Sequence, residues 1–356
     1  SIIIVSWNVW PLLRDCLQSI ATLTKAPAST HTTSSVVRLF GKEAEWHLEV
    51  IVVDNDSSDA TVTRLPLEFP WIRLIHSGGN VGFTRGNNIG YRASRGAYVF
   101  FLNPDTSLTA ATRGAAEHHT PANSPTNAQE LSAPENPLIL LYTVIAHDPT
   151  IGMVGPQLRY GDGSWQNSRR RFPTRLTGFF ESTWLGQYWQ SNPWTRRMHM
   201  LDVPATAQHD VDWLNGSAMF CRRQALEAIC QEGAPDPFDE QFFMYSEELD
   251  LGQRMVLAGW RIVYVPQTTV VHYEGRSSEQ VVTRRHIFFN TSKVRYYRKY
   301  FGPRWAALLR AYLRLEYRIQ VGLESIKWLL RHKPALRQAR IGAYRAILRN
   351  GFRSYQ

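Results

Sequence analysis

The sequence predicts an α/β fold with a mostly parallel sheet and flanking helices. Short runs of β-branched residues alternate with stretches in which apolar residues recur at helical spacing, as is typical of parallel α/β architecture. Two of the runs are followed by a carboxylate, at Asp54 and at Asp105. Because ligands of such folds bind at the carboxyl ends of the strands, we expect the functional site at this edge of the sheet.

The first part of the chain contains four short runs that predict buried strands, at residues 1–6, 49–53, 72–75 and 97–102. Apolar spacing predicts helices at residues 12–23 and 84–93. Two polar stretches, residues 30–42 and 113–137, show no clear period and predict surface insertions. The composition of the longer stretch, rich in Ala, Thr, Pro, Asn and Glu, is typical of disorder.

The second part is less regular. It contains three predicted strands, at residues 152–156, 211–221 and 261–265. Helices are predicted at residues 222–229 and within the acidic segment 238–260. Residues 172–200 are rich in aromatic residues and arginine, and the chain from Tyr300 onward is predicted to be helical and basic.

Charge is distributed unevenly along the 356 residues. The whole chain carries a net charge of +10, whereas residues 284–356 alone contain 18 Lys and Arg against 2 Asp and Glu. A mildly acidic body with a strongly basic tail indicates two tasks on one chain. Three cysteines without a C-x-x-C pair argue against a disulfide framework or a zinc ribbon and favour a reducing compartment.

No apolar run in the sequence reaches the roughly 20 residues that a membrane-spanning helix needs. Residues 2–5 are too short, and lack the basic flank, for a signal peptide. The basic tail nevertheless has an amphipathic pattern, with Arg310, Arg314 and Arg318 on one helical face. Apolar residues collect on another face: Trp305, Leu308, Leu309, Tyr312, Ile319, Leu323, Ile326 and Leu330.

Three interpretations of this tail remain open from the sequence. A basic amphipathic helix suits an anionic membrane surface. The same pattern suits a helix that docks on the body of the protein through its apolar face. Binding of nucleic acid is the third, and no nucleic-acid motif accompanies the charge, so we expect no nucleic-acid partner.

Three motifs at predicted strand ends carry candidate ligand-binding groups. Asp54 and Asp56 belong to V-V-D-N-D-S-S-D, where a carboxylate can accept hydrogen bonds from a nucleobase or a ribose. Asn80 and Gly82 belong to N-V-G-F, where glycine permits a tight turn close to a ligand. The alternative interpretation of both motifs is a turn that caps the next helix.

The third strand-end motif is Asn103-Pro104-Asp105. A carboxylate that faces a diphosphate is a natural ligand of Mg²⁺ or Mn²⁺, which bind one or two carboxylates together with phosphate oxygens. The alternative is again a turn. Downstream, His272 is a second candidate metal ligand, although a single histidine is more often structural.

The acidic segment F-F-M-Y-S-E-E-L-D-L holds the candidates for acid–base chemistry, Glu247, Glu248 and Asp250. Carboxylates close together in a partly apolar setting repel one another, so at least one of them should have a raised pKa, which suits a general base. The alternative is an acidic first turn that stabilises a helix.

The order of these motifs is more specific than any one of them. A strand followed by Trp7-Asn8 precedes V-V-D-N-D-S-S-D, N-V-G-F-T-R-G-N-N-I-G, F-L-N-P-D-T, W-L-N-G-S-A-M-F, F-F-M-Y-S-E-E-L-D-L-G-Q-R and H-Y-E-G-R-S-S. This order resembles glycosyltransferase family 2, most closely its bacterial rhamnosyltransferase and galactofuranosyltransferase-like branch. The resemblance covers about residues 1–278.

The resemblance implies a GT-A fold over residues 1–280 and a basic helical region at 281–356. It implies that Asp54 contacts the base, that Asp105 is the last acid of the metal-binding D-x-D motif, and that His272 also binds the metal. Asn103 stands where that motif has its first acid. Glu248 matches the catalytic base, which is usually Asp, so Glu247 and Asp250 stay open as alternatives. The resemblance places three further residues on the acceptor side: Trp213, Asn215 and Gly216.

The implied activity is inverting transfer of a sugar from a nucleotide-diphospho-sugar to a hydroxyl of a glycan or a lipid-linked acceptor, with Mg²⁺ or Mn²⁺. The branch suggests dTDP-rhamnose as donor and cell-surface polysaccharide as product, made at the inner, cytoplasmic face of the cell membrane by a peripheral enzyme. A catalytically inactive scaffold that binds glycan or membrane is the alternative, motivated by Asn103 and Glu248. A nucleotidyltransferase is a third, and a Rossmann dehydrogenase is disfavoured because the glycine fingerprint is missing.

Overall fold

The computed structural model describes residues 1–24, 36–40, 45–108, 136–230, 235–273 and 282–352. The predicted insertion at 113–137 lies almost entirely outside these residues, as does the 274–278 part of the last motif. The strands are β1 (Ile2–Ser6), β2 (Val36–Phe40), β3 (Glu45–Asp54), β4 (Arg73–His76), β5 (Tyr98–Leu102), β6 (Thr106–Ser107), β7 (Ile151–Arg159), β8 (Trp165–Gln166), β9 (Arg169–Arg170), β10 (His209–Val211), β11 (Trp213–Leu214), β12 (Ala218–Arg222) and β13 (Arg261–His272).

Helices separate most of these strands. They are α1 (Trp10–Thr24), α2 (Thr61–Glu68), α3 (Gly82–Ala93), α4 (Pro137–His147), α5 (Thr177–Phe180), α6 (Trp184–Tyr188), α7 (Pro193–Met198), α8 (Arg223–Ala228), α9 (Glu247–Leu257), α10 (Val282–Phe301), α11 (Pro303–Leu329) and α12 (Pro334–Asn350). Within the described residues, no helix is long and apolar enough to cross a membrane.

The central part of the main sheet has one dominant strand direction. Strands β4, β3, β1 and β5 are parallel neighbours, β12 runs antiparallel between β5 and β7, and β7 is parallel to β13. Six of these seven strands therefore point the same way, which confirms the predicted α/β class with a mostly parallel sheet. The carboxyl ends of the six meet at one edge, together with the amino end of β12.

Alternation along the central strand divides the core between the two faces of the sheet. Ile2 and Ile4 of β1 belong to a buried cluster with Leu13 and Leu17 of α1, whereas Ile3 belongs to the cluster on the other face. The central strands are apolar on both faces because helices cover both sides of a parallel sheet. This burial fixes the register of the strand ends that carry the site.

Three elements differ from the prediction. Residues 36–40 form an antiparallel strand on β3 instead of part of a polar insertion. The predicted strand 211–221 is interrupted at Asn215–Ser217, so β11 and β12 lie in different sheets. Strand β13 continues past Val265 to His272, because β6 and β7 pair with its second half, and this brings His272 to the edge of the sheet.

The first helix of the basic tail docks on the α/β body. Asp250 of α9 accepts a hydrogen bond from Tyr300 at 2.8 Å and lies 2.7 Å from Lys299 Nζ. The Tyr297 hydroxyl donates to Thr174 O at 2.9 Å, and Ser292 donates to Met244 O at 2.8 Å. Apolar residues of α9, α10, α11 and α12 share one buried cluster. The docked interpretation therefore holds for α10 and for one face of α11.

Candidate active site

A cavity of about 660 Å³ opens at the carboxyl edge of the sheet. This is the edge at which the sequence predicts the site. Nine of the thirteen predicted site residues line the cavity: Asp56, Asn80, Asn103, Asp105, Asn215, Gly216, Glu247, Glu248 and His272. The remaining four predicted residues are not among those that line the cavity: Asp54, Gly82, Trp213 and Asp250.

Hydrogen bonds of Asn55 fix one wall of the cavity, which also contains Asp56 and Asn80. The Asn55 amide oxygen accepts from Val81 N at 2.9 Å, and its amide nitrogen donates to Asn80 Oδ1 at 3.2 Å. Asp56 has a left-handed backbone, φ 68°, where the chain leaves β3 and turns along the cavity. Asp54 is buried, with Oδ2 3.8 Å from His76 Nδ1, and its Oδ1 has no hydrogen-bond partner among the described residues.

Glycine is needed at position 82, where this wall of the cavity meets the acidic segment at Phe243. Its φ is +85°, and a Cβ at this position would lie 2.5 Å from Phe243 O. The next residue, Phe83, donates its backbone N–H to the same carbonyl at 3.0 Å. A side chain larger than hydrogen would break this contact, so the glycine predicted to allow close approach to a ligand instead allows close approach of backbone to backbone.

Asp105 and His272 form the candidate metal site. His272 Nε2 lies 3.4 Å from Asp105 Oδ1, and both side chains are buried. His272 Nδ1 lies 3.1 Å from Gln166 Oε1. Because an amide oxygen only accepts, Nδ1 is the atom that donates to Gln166, and Nε2 is left facing Asp105, where a neutral imidazole can bind a metal.

The donor set fits a divalent cation that is shared with a phosphate. Two donor atoms 3.4 Å apart can both reach one ion at metal–ligand distances of about 2.1 Å. In the described part of the chain, no group of three or more His, Cys, Asp or Glu side chains is placed so that it could hold a metal ion by itself. Oxygen atoms of a bound diphosphate would complete the coordination shell, as is usual for Mg²⁺.

Asn103 supplies a further unused acceptor to the cavity. Its Oδ1 is buried and has no hydrogen-bond partner within the described residues. A buried acceptor without a partner costs about 1–3 kcal/mol, so this oxygen is suited to accept a hydrogen bond from a ligand in the cavity. The amide at the first position of N-P-D therefore points to a neutral contact where the usual motif has a charge.

Glu247 and Glu248 form the acidic wall of the cavity at the first turn of α9. Burial raises the pKa of Glu248 to about 7. Burial and the neighbouring Glu248 carboxylate raise the pKa of Glu247 well above its ordinary value. Both residues keep one carboxylate oxygen without a partner among the described residues. A carboxyl with a pKa near neutrality is suited to accept a proton from a hydroxyl.

The backbone before these acids is strained. Tyr245 and Ser246 both have left-handed backbones, at φ 69° and φ 63°, although neither is glycine. Such conformations cost of order 1–3 kcal/mol each and cluster at active sites, where packing holds them. Here the two left-handed residues turn the chain so that the first residues of α9 face the cavity.

Asp250 is fully engaged elsewhere and does not face the cavity. Its two oxygens bind Arg254 at 2.9 Å and Tyr300 at 2.8 Å. Trp213 is also turned away, because its indole N–H donates to Arg171 O at 3.1 Å. Gly216 lies against Glu248, and a Cβ there would be 3.5 Å from Glu248 Cβ. The geometry therefore favours Glu247 and Glu248 over Asp250 as the base.

The first helix of the tail contributes residues that sequence reasoning missed. Arg284, Arg285 and Phe288 of α10 line the same cavity, and Phe288 stacks on Phe243 at 4.7 Å between ring centroids. No acidic partner of either arginine is found within the described residues. The Arg-Arg pair at the beginning of the basic region is the signal that could have identified them.

Two family models match this chain. The model described as Glycosyl transferase family 2 matches residues 1–112, and the model described as Glycosyltransferase like family 2 matches residues 163–286. The chain belongs to glycosyltransferase family 2. Family membership and the order of strands in the sheet confirm the GT-A fold that the resemblance implies.

Two curated relatives of this family 2 glycosyltransferase are rhamnosyltransferases. N-acetylglucosaminyl-diphospho-decaprenol L-rhamnosyltransferase of Mycobacterium tuberculosis is 28% identical over 290 residues, which cover 78% of this chain and 76% of that protein. Rhamnosyltransferase WbbL of Escherichia coli is 25% identical over 263 residues, 70% of this chain and 82% of that protein.

Among solved structures, mannosyltransferase PcManGT of Pyrobaculum calidifontis in complex with GDP-Man and Mn²⁺ is 15% identical, with a TM-score of 0.48. The match covers 98% of this chain and 84% of that chain.

Proposed function

We propose that this protein is a metal-dependent, inverting glycosyltransferase. It moves rhamnose from dTDP-rhamnose to a hydroxyl of a lipid-linked acceptor. The observation that carries the proposal is a single cavity that holds both halves of the chemistry. The Asp105–His272 pair and the Glu247–Glu248 pair both line it, and in this proposal the first pair serves the donor and the second pair the acceptor.

Asp105 and His272 would hold Mg²⁺ or Mn²⁺ in this mechanism. The cation supplies charge neutralisation for the leaving diphosphate. Gln166 keeps the imidazole in the required tautomer, and the unpartnered Asn103 oxygen accepts a hydrogen bond from the bound nucleotide.

Glu248 acts as the general base. It removes the proton of the acceptor hydroxyl, which attacks the anomeric carbon from the face opposite the diphosphate and inverts its configuration. Glu247 lies beside it and holds its proton more tightly, because burial and the neighbouring carboxylate both oppose its ionisation. One carboxylate ready to ionise beside one that stays protonated avoids two adjacent charges.

Arg284 and Arg285 bind diphosphate in this proposal. Guanidinium groups match phosphate oxygens in geometry as well as in charge. The pair enters the cavity from the side of the tail, which makes α10 part of the catalytic unit. A protein that binds both a nucleotide diphosphate and a lipid diphosphate requires positively charged side chains in addition to the metal ion.

The names of the relatives support the acceptor class. One of them acts on N-acetylglucosaminyl-diphospho-decaprenol, a sugar on a lipid diphosphate. We extend that class to this chain, with cell-surface polysaccharide as the product. The enzyme then works as a peripheral protein at the inner face of the membrane, where nucleotide sugars are available.

A calorimetric titration tests the donor side. We expect dTDP to bind in the presence of Mn²⁺ and to bind at least tenfold more weakly without metal, because the diphosphate is held mainly through the cation. UDP and GDP are the matched competitors. Absence of binding to all three nucleotides by the folded protein with Mn²⁺ present would contradict the proposal.

One observation favours the inactive scaffold as the second candidate. Asn103 leaves the metal site one carboxylate short of the usual motif. A scaffold would bind nucleotide with metal and yet release no nucleoside diphosphate from a nucleotide sugar. Release of dTDP from dTDP-rhamnose on addition of a lipid-linked acceptor distinguishes the two candidates.

The pH dependence of turnover reports the state of Glu248. Because the carboxylate form is the base and its pKa is about 7, we expect kcat/KM to rise with pH up to about 7 and to level off above it. The measurement is initial rate against pH at saturating Mn²⁺. A rate that falls as the pH rises through this range would mean that Glu248 is not the base.

A further inference from the structure

The turn between α11 and α12 exposes an unusual run of apolar side chains. Leu329 is 70% exposed and Leu330 is 75% exposed, and the adjacent Trp328 is 45% exposed. We define residues 326–336 as the hairpin tip. An exposed Trp-Leu-Leu run costs hydration free energy in water, so it marks a surface that meets something apolar.

The charge of this region selects the partner. Lys327, Arg331 and Lys333 flank the apolar run and are exposed. The sequence has no acidic residue after Glu324. A second copy of the chain docked here would bring like charges together, whereas an acidic bilayer offers both a negative surface and an apolar interior.

The tip is held rigidly enough to present these side chains. Glu324 of α11 is buried and accepts a hydrogen bond from Arg337 of α12 at 2.8 Å. Lys327 donates to the other oxygen of Glu324 at 3.3 Å. The Arg337 bond joins the two helices just inside the turn, and the Lys327 bond lies within α11, so the exposed run is not a frayed end.

The exposed surface continues along α11. Side chains that recur every three or four residues form one face of a helix, and the members exposed here are Leu315, Ile319, Leu323, Ile326 and Leu330. Leu309, Leu313 and Tyr317 on a different face are buried. An apolar strip roughly 20 Å long therefore runs toward the tip, at about 1.5 Å of helix per residue.

Aromatic side chains border the other end of this strip. The backbone N–H of Trp184 donates to Glu316 of α11 at 2.8 Å, and Phe179 packs on Tyr312. Beside this junction Trp184, Tyr188 and Trp189 are exposed. Tryptophan and tyrosine favour the boundary between lipid headgroups and acyl chains, where one end of the ring system is apolar and the other is wet.

We propose that the hairpin tip and the exposed strip of α11, bordered by the Trp184–Trp189 aromatics, form the surface that docks this enzyme on an acidic bilayer. The proposal rests on the proposed function only for its purpose, which is access to a lipid-linked acceptor. The docking itself depends on this surface alone.

Flotation of the full chain with vesicles tests the docking. We expect binding to vesicles that contain about one-third phosphatidylglycerol and little binding to phosphatidylcholine alone, with weaker binding as salt increases. The double variant Leu329→Ser/Leu330→Ser should partition at least roughly tenfold more weakly. The matched control, Leu67→Ser/Leu257→Ser, replaces two equally exposed leucines elsewhere and should float like the wild type.

Two outcomes would overturn this docking surface. One is equal flotation of the tip variant and the wild type. The other is a concentration-dependent dimer in sedimentation that the tip substitutions abolish, since the surface would then bind a second copy. Titration with dTDP and Mn²⁺ separates the two proposals. A tip variant that binds nucleotide but no longer floats supports both. A wild-type protein that floats but binds no nucleotide supports the docking surface and contradicts the proposed function.

Discussion

Glu248→Gln should abolish sugar transfer and stabilise the protein. We expect kcat to fall by about 10²–10⁴-fold, because the amide cannot accept the proton of the acceptor hydroxyl. Binding of dTDP with Mn²⁺ should be unchanged, because Glu248 serves the acceptor in the proposed mechanism. Initial rates and nucleotide calorimetry on the same preparation measure the two effects.

The stabilisation follows from the raised pKa. Burial raises the folded-state pKa of Glu248 to about 7, so the carboxyl favours folding at low pH and loses that contribution as the pH rises through about 7. Glutamine removes the penalty of ionisation, and the free energy of unfolding at pH 8 should increase by on the order of 2 kcal/mol. Thermal melting at pH 5 and at pH 8 measures this, and the difference should be small at the lower of these two pH values.

Two control variants make the result specific. Glu227→Gln changes an exposed glutamate elsewhere and should alter neither rate nor stability. Glu247→Gln should retain most of the activity, since this neighbour keeps its proton in the proposed mechanism. If Glu247→Gln loses as much turnover as Glu248→Gln, or if Glu248→Gln stays active, the base has been assigned to the wrong acid.

Removal of the Asp105 carboxylate should eliminate the effect of metal on nucleotide binding. In Asp105→Ala we expect dTDP affinity with Mn²⁺ to drop by about 100-fold, to the level measured without metal, because the Asp105–His272 pair loses its carboxylate. His272→Ala should cost somewhat less, since a carboxylate and the phosphates still bind the ion. Calorimetry with and without Mn²⁺ gives both affinities.

The shell behind the histidine offers a finer test. Gln166→Leu removes the acceptor for His272 Nδ1 and frees the ring to change tautomer, which should weaken the metal effect by about tenfold. His147→Ala, at an exposed position on α4, is the matched histidine control. Metal-dependent binding that survives in both Asp105→Ala and His272→Ala would place the cation elsewhere.

Much of the candidate site could be predicted because its residues follow strands. Asp56, Asn103 and Asp105 stand directly after apolar runs, and a parallel sheet brings such positions together at one edge whatever the lengths of the connections. The acid pair was recognisable from its composition, because adjacent carboxylates beside aromatic residues are unusual on a solvated surface.

Other assignments needed the fold. Asp250 is equivalent to Glu247 and Glu248 in the sequence, and only the packing of α10 shows that Tyr300 and Lys299 occupy its oxygens. Arg284 and Arg285 counted only as charge of the tail until α10 was seen to begin at the cavity. The full length of β13, and with it the place of His272, depends on pairing with β6 and β7.

The basic tail shows the division most clearly. Composition and helical period determined that the tail is amphipathic and cationic, because both properties depend only on the order of residues. Tertiary structure decided which of the apolar side chains are buried. Leu309 is buried, whereas Leu330, on the same predicted apolar face, is exposed to solvent. Burial depends on what packs against a helix, and no local pattern in the chain encodes that partner.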